Sequence, residues 1–143
     1  MAYLPATTRI EPWEPNATAL LDPATLKWKD LAEPGTPLPT PWAKDEYEKA
    51  SLAGQEERKK IRAGNRPEGE MDALFRRELV RDTELLGRPP YAGKVGAFEG
   101  ANYEARGYYR PQSDCIMFTR DKVPFCRVCQ RAIGQILDLY VRR

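Results

Sequence analysis

The three cysteines, Cys115, Cys126 and Cys129, are the side chains of this 143-residue chain best suited to chemistry, and all lie in one short stretch. Cys126 and Cys129 are three positions apart in the first turn of a predicted helix, so both thiols can face the same side. Cys115 would have to fold back from the preceding loop to join them. Three thiolates in such an arrangement form a partial site for zinc, which prefers four tetrahedral ligands.

The fourth ligand of such a site is not evident, because the sequence contains no histidine. The remaining candidates are Asp114, another acidic group, water, or a ligand from another chain. Three other interpretations stay open: a redox Cys-x-x-Cys at a helix N-terminus, a disulfide from Cys115 to one of the pair, and buried free thiols that act as small apolar side chains. The redox interpretation lacks the strand–helix–strand context of thioredoxin-like proteins.

Charge and hydropathy exclude several classes of partner. The 23 basic and 21 acidic side chains leave a net charge of +2, which gives no preference for nucleic acid or for an anionic membrane. No apolar run is long enough to span a bilayer. The first residues lack the features of a signal peptide, so the default expectation is the cytoplasm, or secretion if the chain is a fragment of a longer precursor.

Residues 1–42 predict a long extended segment that wraps over a body. They hold eight of the 13 prolines and all three tryptophans. Prolines fix their own backbone and favour extended conformations in the preceding residue, and Trp13, Trp28 and Trp42 are costly to leave in water. One short helix is expected here, with Asp22 as its cap and residues 24–31 as its body.

The rest of the chain predicts helices around an irregular middle, so the fold class is mostly α with long irregular segments and little strand. Residues 43–87 are rich in charged helix formers and predict helices interrupted near 64–69. Residues 88–123 are rich in glycine and tyrosine and predict a tight loop, with a short strand near 95–98. Residues 124–143 predict a closing helix whose apolar face is firmly buried.

Six short motifs, in order along most of the chain, resemble the C-terminal part of the IgA-peptidase-type zinc metallopeptidases, peptidase family number sixty-four. The motifs occupy residues 11–16, 26–29, 34–41, 95–103, 107–111 and 114–133. The resemblance implies a metzincin-like zinc endopeptidase fold that acts on protein or peptide substrates. In that fold a helix carrying His-Glu-x-x-His lies upstream, and a turn with a methionine passes beneath the metal.

The resemblance also implies roles for individual residues. Met117 would be the Met-turn residue, and the wall of the substrate cleft would include Glu99, Tyr103, Tyr109 and Phe118. The cysteine spacing is similar to that of archaemetzincins, which have a second, structural zinc site. By that similarity Cys115, Cys126 and Cys129 would be three ligands whose fourth lies elsewhere. The catalytic zinc of the family is not expected to bind this chain alone, since His-Glu-x-x-His is missing.

Three functional hypotheses follow. In the first, the chain is a single C-terminal subdomain, residues 1–143, which supplies the Met-turn and cleft wall and is inactive without an N-terminal catalytic half. In the second, it is a non-catalytic interaction module, with residues 1–42 and the loop 103–109 as contact surface and a structural zinc at the cysteines. A small zinc-stabilised protein is a third hypothesis, and metal-dependent folding distinguishes it.

Overall fold

The computed structural model describes residues 9–141 and contains three helices and one small sheet. The helices are α1 (Lys44–Ala63), α2 (Glu68–Leu86) and α3 (Arg127–Val141), and the antiparallel sheet pairs β1 (Phe98–Ala101) with β2 (Glu104–Arg110). The prediction of a mostly helical chain with little strand is confirmed. The predicted segments at 1–8 and 142–143 lie outside the described residues. None of the described helices is long and apolar enough to cross a membrane.

Helices α1 and α2 form a hairpin. The charges of α1 suit its dipole, with Asp45 and Glu46 in the first turn and Lys60 and Arg62 in the last. The α2 residue Glu78 is buried and receives hydrogen bonds from the guanidinium of Arg58 on α1, at 3.0 and 3.1 Å from Nη2. The two helices are therefore joined by an ion pair with one buried partner, and each also buries an apolar side chain, Ile61 on α1 and Leu74 on α2.

Gly54 is where α1 comes closest to this buried ion pair. A Cβ at Gly54 would overlap Oε1 of Glu78, which is held in place by Arg58. We expect Gly54→Ala to lower the free energy of unfolding by about 1–2 kcal/mol, because displacing a buried carboxylate from its partner outweighs the helix propensity gained.

The matched control is Gly134→Ala in α3, where a new Cβ meets no atom within 4 Å. It should raise the stability by up to about 1 kcal/mol. Urea denaturation of both variants measures the two effects, and stabilisation by Gly54→Ala would contradict the close packing of α1 on Glu78.

The sheet is a β-hairpin, which differs from the predicted loop with a short strand near 95–98. Asn102 and Tyr103 have positive φ angles of 52° and 62°, and Ala101 pairs with Glu104. Two residues with positive φ match the type I′ turn, in which asparagine is favoured at the first position. The exposed start of β2 lacks an alternating apolar pattern, so only the turn residue Asn102 signals the hairpin in the sequence.

Residues 9–42 contain no helix or strand and are held by hydrogen bonds to the middle of the chain. Thr18 forms an isolated bridge with Tyr109 in β2. Farther along, the amide of Glu33 donates to the carbonyl of Val95 at 3.1 Å, and the amide of Thr40 donates to that of Ala97 at 2.7 Å. This segment, residues 9–42, is called the wrap from here on. It lies along residues 95–97 and on β2.

The short helix predicted for residues 24–31 is wrong. Asp22 does cap a turn, because its Oδ1 accepts the amide of Ala24 at 2.9 Å. A second turn follows, in which the amides of Leu31 and Ala32 donate to the carbonyl of Trp28. Burial of Trp28 against the core separates the two turns, so a continuous helix does not form.

The prediction that all three tryptophans pack against a body fails for Trp13, which is 88% exposed, whereas Trp28 is 0% exposed. The segment around Trp13 is held through its backbone. The ammonium group of Lys27 donates to the carbonyls of Glu14 at 2.9 Å and Ala17 at 2.8 Å. Its anchoring therefore does not require the Trp13 side chain to be buried.

The core joins the wrap to the cysteine segment and the first turn of α3. Its buried members are Leu26, Trp28, Val95, Cys115, Cys126, Val128 and Cys129.

The firmly buried face predicted for the closing helix is wrong beyond this first turn. Of the α3 residues, only Val128 and Cys129 are buried, and Ile136 and Leu137 are each 57% exposed. The amphipathic pattern is present, but within residues 9–141 most of the helix extends away from the core.

Candidate functional site

The three cysteine sulfurs form a compact cluster of free thiols. All three Sγ atoms lie within 4.8 Å of one another, and those of Cys115 and Cys129 are 3.9 Å apart. Four sulfurs around a tetrahedral zinc, with Zn–S bonds of about 2.3 Å, lie about 3.8 Å apart. The spacing therefore suits a metal ion, whereas a disulfide requires about 2.05 Å.

Backbone amides point at the sulfurs and favour their ionised form. Sγ of Cys115 accepts the amides of Cys126 at 3.2 Å and Met117 at 3.4 Å, and Sγ of Cys126 accepts the amide of Cys129 at 3.5 Å. Hydrogen bonds from the thiols of Cys126 and Cys129, together with these amides, lower the pKa of Cys115. A thiolate is the form that binds metal.

The hydrogen bonds at the three thiols disfavour the redox interpretation. The pKa values of Cys126 and Cys129 are raised, in each case chiefly by the hydrogen bond with Cys115. In redox Cys-x-x-Cys motifs the activated thiolate belongs to the motif itself, whereas here the sulfur that accepts two backbone amides is that of Cys115, outside the motif. All three sulfurs are also buried.

A tight turn and the start of α3 hold the cluster together. The turn after Cys115 is closed by the amides of Phe118 at 2.8 Å and Thr119 at 3.1 Å, both of which donate to the Cys115 carbonyl. Oδ1 of Asp114 accepts the Cys115 amide at 2.8 Å and the Thr119 hydroxyl at 2.7 Å. Asp114, a candidate fourth ligand, thus stabilises the turn and is not part of the metal-binding group found among the described residues.

A cavity of about 700 Å³ adjoins the cluster, and all three cysteines line it. Of the residues predicted for the substrate-cleft wall, Glu99, Tyr103 and Phe118 line the cavity, and so does Met117, which lies in the turn after Cys115. Tyr109 is not among the lining residues. Its backbone pairs with Thr18, and its hydroxyl lies 3.5 Å from Oε2 of Glu99. The structure thus brings most of the predicted residues to one cavity.

Glu99 is an ionised, paired carboxylate. Burial raises its pKa, but the hydrogen bond and the charge of Lys44 outweigh this effect, so the net pKa is lowered. A general base acts best with a pKa near the working pH. Glu99 is therefore better suited to fix the cavity wall than to take up a proton.

Arg110, at the end of β2, is the cavity residue that the sequence did not single out. It is 4% exposed, and burial lowers its pKa to about 9. Its guanidinium carbon lies 3.9 Å from the ring centre of Phe118 and 4.3 Å from that of Trp42. The Trp42 ring comes from a segment 68 positions away and the Phe118 ring from beyond an irregular turn, so no local motif marks this environment.

Asp121, close to the turn after Cys115, makes the stability of the folded state depend on pH. Burial, followed by the neighbouring Asp114 carboxyl, raises the pKa of Asp121 to about 7, against about 3.9 in an unfolded chain. Between about pH 4 and pH 7 the folded state keeps a proton that the unfolded state has lost. The free energy of unfolding should therefore fall as pH rises through this window, by about 1–3 kcal/mol.

Asp121→Asn mimics the protonated carboxyl, so we expect it to remove most of this slope and to raise stability at pH 8. Urea denaturation at pH 5 and pH 8 measures the change, and the exposed Asp72→Asn should leave the wild-type slope intact. An unchanged slope in Asp121→Asn would show that another group titrates.

Comparison with known proteins gives one family match. A family model described as IgA Peptidase M64 matches residues 1–137. None of the curated proteins compared with the chain matches it.

Proposed function

The chain belongs to the IgA peptidase M64 family, and we propose that it is the C-terminal subdomain of a zinc metalloendopeptidase that acts on protein substrates. The family match over residues 1–137 carries this proposal. In it, the turn containing Met117 lies beneath the catalytic metal, and Glu99, Tyr103 and Phe118 contribute to the wall of the substrate cleft, with Tyr109 behind Glu99. The cavity that adjoins this turn supports the assignment.

The residues of this chain do not fit the catalytic zinc of such a peptidase. Catalytic zinc sites use three protein ligands, with histidine prominent among them, and keep an open position for water. The sequence contains no histidine, and the metal-binding group found in residues 9–141 consists of buried cysteines. We therefore propose that the metal ligands and the general base come from a segment carrying His-Glu-x-x-His, and that the chain alone is inactive.

Complementation tests this proposal. The 143-residue chain is purified alone and after co-expression with the His-Glu-x-x-His segment of a family member, and the release of fluorescent fragments from labelled casein is measured with zinc or chelator. We expect no chelator-sensitive hydrolysis from the chain alone and clear hydrolysis from the complex. Chelator-sensitive activity of the chain alone, or a co-purified complex without activity, contradicts the proposal.

We further propose that Cys115, Cys126 and Cys129 bind a structural zinc. The sulfur spacing and the amides directed at Cys115 support this role. The cysteines line the cavity, so water or a side chain from another polypeptide can approach from there as the fourth ligand. Such a zinc would fix the Met117 turn to α3 without taking part in hydrolysis.

The alternative is a non-catalytic interaction module. The observation that favours it is the exposure of two large aromatic side chains, Trp13 and Tyr103, since aromatic residues are enriched at protein interfaces. A sharp, cooperative thermal transition of the isolated chain supports the module. A molten, aggregating chain that becomes ordered only with the catalytic segment supports the subdomain.

A further inference from the structure

We infer that the cavity binds the carboxylate group of a peptide, with the guanidinium of Arg110 and the indole N–H of Trp42 as donors. This inference rests on the proposed function, because the same cavity is the proposed substrate cleft. It adds a substrate class, since a ligand with a free carboxylate should be preferred over its neutral counterpart.

Arg110 has donors to spare. Its Nε donates to the carbonyl of Ser113 at 3.1 Å, and its Nη1 donates to those of Glu99 at 2.8 Å and Gly100 at 2.9 Å. Nη2 is buried and has no hydrogen-bond acceptor among residues 9–141. The first three bonds fix the guanidinium rigidly, so the two N–H groups of Nη2 are held ready for a ligand.

The indole of Trp42 provides a second donor. Its Nε1 is likewise buried without an acceptor in the described part of the chain. The guanidinium carbon of Arg110 lies 4.3 Å from the Trp42 ring centre, and both residues line the cavity. Two neighbouring donors without acceptors match a group with two acceptor oxygens.

Charge favours a carboxylate over a neutral amide. No carboxylate of residues 9–141 lies within 4 Å of the Arg110 guanidinium. The nearby acids have other cations: Glu99 and Glu48 pair with Lys44, and Glu104 pairs with Arg9. Arg110 is thus a buried cation with no carboxylate in direct contact, although the charge of Asp114 acts on it from a longer distance. A bound carboxylate would form charge-assisted hydrogen bonds with it.

Binding of short peptides to the full chain tests the inference. The probes are acetyl-trialanine with a free C-terminal carboxylate, its C-terminal amide, and amidated acetyl-Ala-Glu-Ala and acetyl-Ala-Gln-Ala. Calorimetric titration should show at least about tenfold tighter binding for one acid than for its neutral counterpart. The C-terminal pair and the side-chain pair distinguish the two sources of carboxylate. Equal binding of acids and neutral peptides, no binding, or equally tight inorganic phosphate overturns the inference.

Two variants locate the site. Arg110→Lys keeps the charge but loses the planar fork, and should weaken acid binding at least about tenfold. If it fails to fold, Trp42→Phe removes the unpaired N–H while keeping an aromatic ring beside Arg110, and should weaken acid binding about threefold to tenfold. Arg106→Lys, on an exposed position of the same strand, should bind like the wild type. Wild-type affinity in both cavity variants overturns the inference.

These results are independent of catalysis. Carboxylate binding without restored hydrolysis in the complementation experiment would refute the peptidase role and leave the binding site in place. Restored hydrolysis without carboxylate preference would refute only the present inference.

Discussion

Cys115→Ser should abolish zinc binding and lower the free energy of unfolding by about 3 kcal/mol or more. Cys115 accepts two backbone amides at its sulfur, which favours the thiolate form that binds metal, and it would be one of the three sulfur ligands of the proposed zinc site. Serine cannot replace a thiolate at a zinc site. Because the metal-binding free energy of such sites contributes to folding, the wild type should also lose stability when a chelator is added.

The measurement combines zinc content by elemental analysis with thermal unfolding, each in the presence and absence of chelator. Val128→Ala is the control, since Val128 is 1% exposed, belongs to the same core and is not a ligand. It should lower stability in both conditions and keep the zinc content. If the reduced wild-type protein contains no zinc and its thermal unfolding is unchanged by the chelator, the structural metal is refuted. The three cysteines are then buried free thiols.

Trp28→Ala should lower the free energy of unfolding by about 3–5 kcal/mol, the range typical of large aromatic residues removed from a core. Trp28 is fully buried and packs in the cluster with the cysteines. Its Nε1 donates to the carbonyl of Gly96 at 2.7 Å, so the variant also leaves a buried carbonyl without its donor. The wrap would then lose its contact with residues 95–97.

Trp13→Ala is the matched control, because Trp13 is exposed and its segment is held by Lys27. Its effect on stability should stay within about 0.5 kcal/mol. Chemical denaturation followed by far-ultraviolet circular dichroism compares the two variants. A small effect of Trp28→Ala would contradict the integral role of the wrap.

Local signals in the sequence were sufficient for part of the fold. The helix formers and breaks around residues 44–86 predict α1 and α2, because such signals act over a few residues. The Cys-x-x-Cys spacing predicts two neighbouring thiols for the same reason. Cys115 comes close to Cys126 and Cys129 because the chain after it makes a turn, in which the amides of Phe118 and Thr119 donate to the Cys115 carbonyl. The sequence alone does not determine this turn.

The features that the sequence did not predict depend on distant contacts. Arg110 is buried between the rings of Trp42 and Phe118, and its contact with Trp42, 68 positions away, has no signal in the sequence around Arg110. For α3 the prediction of a buried face was wrong beyond the first turn. The sequence pattern does indicate an apolar face, but it does not show whether another part of the protein covers that face. The hairpin was missed because its turn signal is a single asparagine.

The bond between Trp28 and Gly96 spans 68 positions along the chain, and this separation sets an order of events during synthesis. The wrap is synthesised before residues 95–97, so the carbonyls and amides that hold it do not exist until the helices α1 and α2 have been made. Contacts within α1 and α2 are local and form rapidly, whereas non-local pairings form slowly. The helical hairpin of α1 and α2 can therefore fold before Trp28 is buried, and the Trp28 side chain stays exposed until residues 95–97 have been synthesised.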